Sequence, residues 1–278
     1  MGPARHPGRV RPFEARIVRR VRGSALGAAE EDALAAEEPL EIRLNGRAVV
    51  VTMRTPGDDE ELALGFLANE GVLRAGARPR RVRLLADPVF APKGNIADVE
   101  ADEGDVVRAP SERTFHATSA CGVCGQASLE TVERAFAPVT ATLRVAASAL
   151  EALPARMRKD QAVFDRTGGL HAAALFAPDG ALLALREDVG RHNAVDKVTG
   201  WALLAGRLPL ASAVLVVSGR AGFEVVQKAV ASGIPVVAAV GAPSSLAADL
   251  AERAGVTLVG FLREGAFNVY AHAERVVA

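Results

Sequence analysis

Two cysteines in 278 residues, Cys121 and Cys124, are too few for a disulfide-stapled secreted domain, and they sit together in one Cys-x-x-Cys. A lone close pair in a long chain points instead to the reducing cytosol and to redox, sulfur or metal chemistry. Lysine is scarce as well. Only Lys93, Lys159, Lys197 and Lys228 occur, so the high arginine count reads as the codon bias of an alanine- and arginine-rich proteome and carries little functional weight. Neither charge is in excess, because 33 Lys+Arg cancel 33 Asp+Glu, and whole-chain electrostatics gives no argument for nucleic acid. Long apolar runs are missing: Ala213 to Val217 and Ile234 to Val240 are far too short to cross a bilayer. Gly-x-Gly-x-x-Gly and Walker A loops are absent too, which removes the ordinary dinucleotide dehydrogenase and ATPase. What is present, 50% hydrophobic and 24% charged residues, is the profile of a soluble globular protein of about two domains.

The amino-terminal stretch carries seven arginines by Arg22, including Arg19-Arg20, but acidic residues Glu30, Glu31 and Asp32 follow where an export signal needs an apolar run. Residues 1–37 are therefore expected to be a flexible, charged, non-exported tail. Residues 38–112 read as a small β-rich α+β domain. Leu40 to Leu44 alternates apolar and charged residues, Asn45-Gly46 supplies a type I′ turn, and Val49 to Arg54 returns. Asp58 to Glu61 then opens a helix closed by Gly71, and strands are expected near Arg81 to Leu85 and Ile96 to Glu100. Residues 113–126 form a glycine-hinged, mobile Cys-x-x-Cys loop. From 127 to 278 a hairpin around Pro178-Asp179-Gly180 precedes strands at Ala213 to Val217, Ile234 to Val240 and Val256 to Phe261. The helices between them end at Gly233 and Gly255. That alternation predicts a parallel sheet covered by helices, hence a three-layer α/β/α domain.

Four constellations carry chemistry. In Cys121-Gly122-Val123-Cys124-Gly125 the glycines give access, and helical spacing of Leu129, Val132 and Phe136 puts the thiols just ahead of a helix N-terminus, which favours a thiolate. A zinc site borrowing His116, His171 or His192, a thioredoxin-like exchange pair and inert buried thiols are the competing readings. Secondly, Arg191, His192 and Asn193 cluster at the start of a helix, where cations oppose the dipole unless an anion lies between them; the bland alternative pairs His192 with Asp196 one turn on. Thirdly, the loops Ser218 to Phe223, Gly241 to Ser245 and Leu262 to Asn268 lie at the carboxyl ends of the parallel strands and combine glycine, hydroxyl and arginine, the equipment for phosphate. Fourthly, Gly168-Gly169 before His171 suggests backbone that must approach a ligand or the cysteine loop, or else a tight turn.

These segments, together with Met53-Arg54-Thr55-Pro56-Gly57-Asp58-Asp59-Glu60-Glu61-Leu62 and Glu187-Asp188-Val189-Gly190-Arg191-His192-Asn193-Ala194-Val195-Asp196-Lys197, resemble the formate dehydrogenase accessory sulfurtransferases, the FdhD family, over roughly residues 40–275. The resemblance implies an α/β fold with a cytidine-deaminase-like carboxy-terminal domain. It implies a cytoplasmic sulfur carrier that takes persulfide sulfur from a cysteine desulfurase on Cys121, with Cys124 as an auxiliary thiol. The sulfur is passed to the molybdenum bis(molybdopterin guanine dinucleotide) cofactor for formate dehydrogenase. The cofactor stretch carries over to Phe261, Leu262, Arg263, Glu264, Gly265 and Ala266. Arg191, Arg220 and Arg263 are then expected to face pyrophosphate, with His192 beside them and Asn193 or Asn268 on polar edges. A homodimer without a resident metal ion, nucleic acid or membrane contact is expected. The alternative is a non-catalytic chaperone that only binds the cofactor. The residues argue against zinc deamination, since the one His-x-Glu, His272-Ala273-Glu274, follows the cysteines and Ala120 replaces the proline of Pro-Cys-x-x-Cys.

Overall fold

The computed structural model describes residues 11–74, 76–87, 91–107 and 137–278. The Cys-x-x-Cys segment, with Cys121 and Cys124, and the helix expected on Leu129, Val132 and Phe136 lie outside the described residues.

The chain is a mixed α/β protein with several sheets. Its first described element corrects the expectation of a flexible tail: β1 (Phe13–Arg22) and β2 (Ala25–Ala35) pair as an antiparallel hairpin that turns at Gly23, φ 61°. Some of the charges read as tail composition meet across the ribbon. Arg16 lies opposite Asp32, and Arg20 Nε is 2.6 Å from a Glu30 carboxylate oxygen. The hairpin rests its base on the rest of the protein through Phe13, whose ring lies 4.5 Å from the Arg166 guanidinium.

A four-stranded sheet follows, in the order β4-β3-β6-β5. Strands β3 (Glu38–Leu44) and β4 (Arg47–Arg54) form the expected hairpin, with Asn45 at φ 50° and Gly46 at φ 78°, the two left-handed positions a type I′ turn needs. Leu40, Ile42 and Leu44 point inward while Glu41 and Arg43 stay at the boundary. Strand β6 (Ala91–Glu100) runs parallel to β3 and antiparallel to β5 (Arg81–Asp87). Helix α1 (Asp59–Asn69) begins with Asp59, Glu60 and Glu61 in its first turn, where carboxylates complement the helix dipole. Its Leu62, Leu64 and Leu67 are fully buried, each stabilising the fold by about 1.5–3 kcal/mol on burial.

The second sheet has six strands in the order β13-β12-β11-β10-β8-β9. Strands β10 (Val214–Val217), β11 (Val236–Ala239) and β12 (Thr257–Arg263) are parallel, as the sequence alternation predicts. The hairpin β8 (His171–Phe176) and β9 (Leu182–Asp188) joins one side, and β13 (Ala266–Ala271) the other, each through an antiparallel neighbour. Helices α4 (Arg191–Leu204), α5 (Phe223–Ala231) and α6 (Ser245–Ala254) pack with one face of the sheet through Val195, Val198, Val226 and Leu250. The other face is covered by α2 (Ala147–Lys159) through Leu150, Leu153 and Met157. A short helix, α3 (Ala162–Thr167), leads from α2 into β8. The two-residue strands β7 (Val145–Ala146) and β14 (Val276–Val277) tie the carboxyl end beside the start of α2.

The two sheets are joined where α1 crosses α4. A Cβ built on Gly65 would lie 1.7 Å from the Asp196 carbonyl oxygen, and one on Gly200 would lie 1.8 Å from the Glu61 carbonyl oxygen. The helices therefore touch backbone to backbone, a distance only glycine permits.

Candidate functional site

The topology brings most of the expected site residues to one edge of the six-stranded sheet. Because β10, β11 and β12 are parallel, their carboxyl ends and the loops after them share that edge. Strand β8 is antiparallel to β10, so its first residue, His171, arrives there too; β9 is antiparallel to β8, so its last residue, Asp188, sits opposite His171. Helices α4, α5 and α6 consequently all start at this edge, with backbone N–H groups directed toward it.

The loops are knitted into a shelf by main-chain bonds. Gly241 N donates to the Gly219 carbonyl at 3.0 Å, Ser244 N to the Ala221 carbonyl at 3.1 Å, and Phe261 N to the Gly241 carbonyl at 3.0 Å. Ser244 also caps α6 through its hydroxyl, which accepts from Ala247 N. Phe261 is half-exposed and held at φ 53°, at a register shift between Gly260 and Arg263 in the β12–β13 pairing. A non-glycine residue in that conformation costs on the order of 1–3 kcal/mol, and bulges of this kind re-aim side chains at sheet edges. Arg220, Arg263 and Glu264 are exposed on the shelf, and neither arginine has an ion-pair partner among the described residues. Gly265, at φ 75°, turns the chain into Ala266 and β13.

Three expected contacts are corrected. Leu262 is buried in the core under α2, so its side chain does not face the shelf. Asn193 is turned inward: its amide donates to the Met53 carbonyl at 2.7 Å and to Asp188 at 3.0 Å, while its oxygen accepts from the Thr52 hydroxyl. His192 is buried too, and its Nε2 lies 2.8 Å from a Glu224 carboxylate oxygen on α5, not against Asp196. Asp196 points the other way, to Lys228 and Asn69. Asn268 is exposed beside Tyr270.

The two long motifs turn out to grip each other. Asp188 accepts from Thr55 N at 3.1 Å and pairs with Lys197 at 2.8 Å; Val189 N donates to the Thr55 hydroxyl, and Lys197 Nζ to the Thr55 carbonyl. Arg54 is fully buried and forked on Asp59 at 2.8 and 2.9 Å. Much of the 53–62 and 187–197 sequence thus fixes the start of α4 against the first sheet, leaving Arg191 at the edge.

Electrostatics at the edge is lopsided toward cations. Burial, then the charges of Arg191 and His192, pull the His171 pKa below the usual histidine range, so its imidazole is neutral near pH 7. Burial would push the Glu224 carboxyl up, but the His192 hydrogen bond and the charges of His192, Arg191 and Lys228 outweigh it and hold Glu224 below the ordinary glutamate range. A depressed carboxyl pKa contributes stability that is present above the unfolded value and is lost as pH falls through the folded one. Glu224→Gln should therefore flatten the acid limb of the urea-midpoint profile relative to wild type. Identical acid limbs would show that the pair does not act this way.

Next to the shelf, on the α2 face of the sheet, opens a cavity of about 690 Å³. Its walls come from Pro154, Met157 and Arg158 of α2, from the Gln161-to-His171 stretch, and from Ser218 and Val240 at the sheet edge. Gly168 and Gly169 line it, so the adjacent glycines do border open space. Gly168 also takes the left-handed position that ends α3, and Gly169 packs near Ala35 of β2. The sequence reading reached the Phe164-to-His171 side of this cavity but not Pro154, Met157, Gln161 or Val240, whose pattern carries no local signal. Among the described residues no group of three histidine, cysteine or acidic side chains is placed to hold a metal ion, and no helix is long and apolar enough to cross a membrane.

Comparison with known proteins agrees with the motifs. A relative from Mycolicibacterium paratuberculosis named sulfur carrier protein FdhD is 53% identical over 271 residues, 94% of this chain and 97% of its own length. One of the same name from Streptomyces coelicolor is 54% identical over 274 residues, 96% of each chain. The solved structure of a candidate formate dehydrogenase accessory protein from Desulfotalea psychrophila superposes with a TM-score of 0.76 at 27% identity, covering 96% of this chain and all of that one. Residues 35–277, from the end of β2 through β14, match the FdhD/NarQ family as a whole, and the chain belongs to it.

Proposed function

We propose that this protein is a cytoplasmic sulfur carrier of formate dehydrogenase maturation, receiving sulfur on Cys121 from a cysteine desulfurase and delivering it to the molybdenum bis(molybdopterin guanine dinucleotide) cofactor. The sulfur-carrier names of relatives 53% and 54% identical support the chemistry. The observation that carries the acceptor half is geometric: Arg220 and Arg263, without an ion-pair partner among the described residues, three helix starts and a large cavity converge on one sheet edge, a setting for a bulky ligand bearing phosphate. The six-stranded sheet with helices on both faces is in keeping with a cytidine-deaminase-like domain as the scaffold.

In the first step the Cys121 thiolate attacks the terminal sulfur of the donor's persulfide. The donor's S–S bond breaks, its cysteine leaves as thiolate, and a new S–S bond forms on Cys121, so the sulfur moves without net oxidation or reduction. Cys124 is the auxiliary thiol. Its attack on Cys121 Sγ would close a disulfide and release the carried atom as hydrosulfide, the two electrons coming from the thiol pair. Arg220, Arg263 and Arg191 would neutralise pyrophosphate charge at the shelf.

The test is peptide mass analysis after incubation with a cysteine desulfurase and cysteine. The Cys121 peptide gains one reductant-labile sulfur, and Cys121→Ala loses both this mass and formate dehydrogenase activation. An unmodified wild-type peptide would refute the carrier reading. Activation that survives Cys121→Ala would leave a cofactor-binding chaperone in its place.

A further inference from the structure

The β1–β2 arm carries an apolar stripe along one face, left open by the described residues. Cross-strand partners share a face and successive residues alternate between faces, so the register puts Ala15, Ile17, Arg19 and Val21 of β1 on one side with Ala33, Glu31, Ala29 and Leu26 of β2. Glu14, Arg16, Arg20, Glu30 and Asp32 lie on the other side, where Arg20 pairs with Glu30 and Asp32. On the apolar side Ile17 is 71% exposed, Val21 62% and Leu26 56%. The arm meets the body at its base, where Phe13 stacks on Arg166 and Ala35 lies beside Gly169. A two-stranded ribbon is marginal in water by itself, and a continuous exposed apolar face marks a surface that binds. Two charged side chains interrupt the stripe and decide what fits it. Arg19 and Glu31 sit diagonally across the two strands, and neither has an ion-pair partner among the described residues; Arg19 donates instead to the Gly27 carbonyl at 3.0 Å. A purely apolar partner would cover both charges without a counter-charge. A second copy supplies one for each: a two-fold axis lying in the plane of the face sets Arg19 of one protomer over Glu31 of its partner, and the reverse, with the apolar residues closing around the two pairs.

We infer that two copies of this chain join through their β1–β2 arms, which stack by their apolar faces with reciprocal Arg19–Glu31 ion pairs. The homodimer implied by the resemblance names no surface, and the arm supplies one. Strands of 10 and 11 residues make the face about 33 Å long, and two such faces stacked bury on the order of 1,000 Å² in total, the low end of specific interfaces. The association is therefore reversible. The arm lies ahead of the residues matched to the family, 35–277, so the contact stands apart from the sulfur-carrier reading.

Sedimentation equilibrium of the full chain across protein concentrations tests it, with Ile17→Lys, Leu34→Lys, Arg19→Glu and Glu31→Arg as variants. Wild type is expected to dimerise reversibly, and Ile17→Lys to move the midpoint to at least tenfold higher concentration. Leu34 is 48% exposed on the charged side of the arm, so Leu34→Lys is the control and should dimerise as wild type does. Arg19→Glu and Glu31→Arg should each weaken self-association at least tenfold. Mixed in equal amounts, these two should recover it, because one copy then offers two carboxylates and the other two guanidiniums; recovery also shows that both variants fold. Wild type that stays monomeric, or Ile17→Lys that dimerises like wild type, overturns the arm as the joining surface. A loss in Leu34→Lys equal to that in Ile17→Lys overturns the assignment of faces, and a mixture no tighter than its components overturns the Arg19–Glu31 pairing. A monomeric wild type whose activation of formate dehydrogenase is lost in Ile17→Lys would refute the dimer and give the face to a different protein.

Discussion

Gly200→Ala is expected to separate the two halves of the protein, with a loss of more than about 3 kcal/mol, at or beyond the upper end of ordinary overpacking. The added methyl would lie 1.8 Å from the Glu61 carbonyl oxygen, 2.5 Å from its carbon and 2.7 Å from its Cα. All three are backbone atoms of α1, so no side-chain rotation relieves the clash, and the helices must move apart by more than an ångström. That movement would pull α1 from α4 and loosen Leu203, which packs into the core of the first sheet. Gly65→Ala meets the mirror problem, 1.7 Å from the Asp196 carbonyl oxygen, and should cost as much. Measured by thermal melting, such a loss corresponds to a fall of roughly 10 °C in a chain of this size. Gly104→Ala, with nothing within 4 Å of the new methyl, is the control and should melt near wild type. Should Gly200→Ala melt with the control, α1 and α4 do not meet backbone to backbone.

This crossing also marks the limit of what the sequence discloses. Local chemistry announced itself clearly. Asn45-Gly46 fixed the β3–β4 turn, Asp59 to Glu61 opened α1, and Gly233 and Gly255 stand just past α5 and α6 with φ of 70° and 71°. Each signal belongs to a few adjacent residues. Gly65 and Gly200 sit inside helices, where a glycine reads as mild weakness until the partner helix is in place. The β1–β2 hairpin was missed because opposite charges across two strands look, in one dimension, like a mixed-charge tail. His192 and Asp196 share a helical face by spacing alone, yet α4 is covered on several sides, and different neighbours claim them: Glu224 takes one, Lys228 the other. At the site, the strand-end loops were legible because ligands of open α/β sheets gather there. Gln161 was not, because it lines the cavity only once α2 and the sheet edge are brought together, which is a property of three dimensions.

Lys228→Met should destabilise the protein by about 3–5 kcal/mol, the usual cost of breaking a buried ion pair by removing one member. Lys228 is buried in α5 and donates to both carboxylate oxygens of Asp196, at 2.9 and 3.1 Å, and to Glu70 at the end of α1, at 3.3 Å. Burial alone would lower its pKa, but attraction to Asp196 and Glu70 outweighs that and holds the ammonium charged. Around the pair, Asn69 donates to Asp196 at 2.7 Å and accepts from Ser232 at 2.8 Å, and Ser232 in turn meets Thr199 at 3.1 Å. The network thus links α1, α4 and α5, which carry the first sheet, the Arg191 start and the Glu224 start respectively. Methionine fits the aliphatic stem but leaves Asp196 buried without its counter-charge, and protonation then becomes its cheapest escape. The destabilisation should accordingly shrink at acid pH, where a neutral Asp196 needs no ammonium. The double variant Asp196→Asn/Lys228→Met should recover much of the loss at neutral pH, because it removes both charges together. A double variant as unstable as the single one would mean that the helices are held by shape alone and that the charges are incidental. Recovery would mean that polar pairing, added to the glycine contact, sets how the Arg191 and Glu224 helix starts are presented to whatever ligand the edge receives.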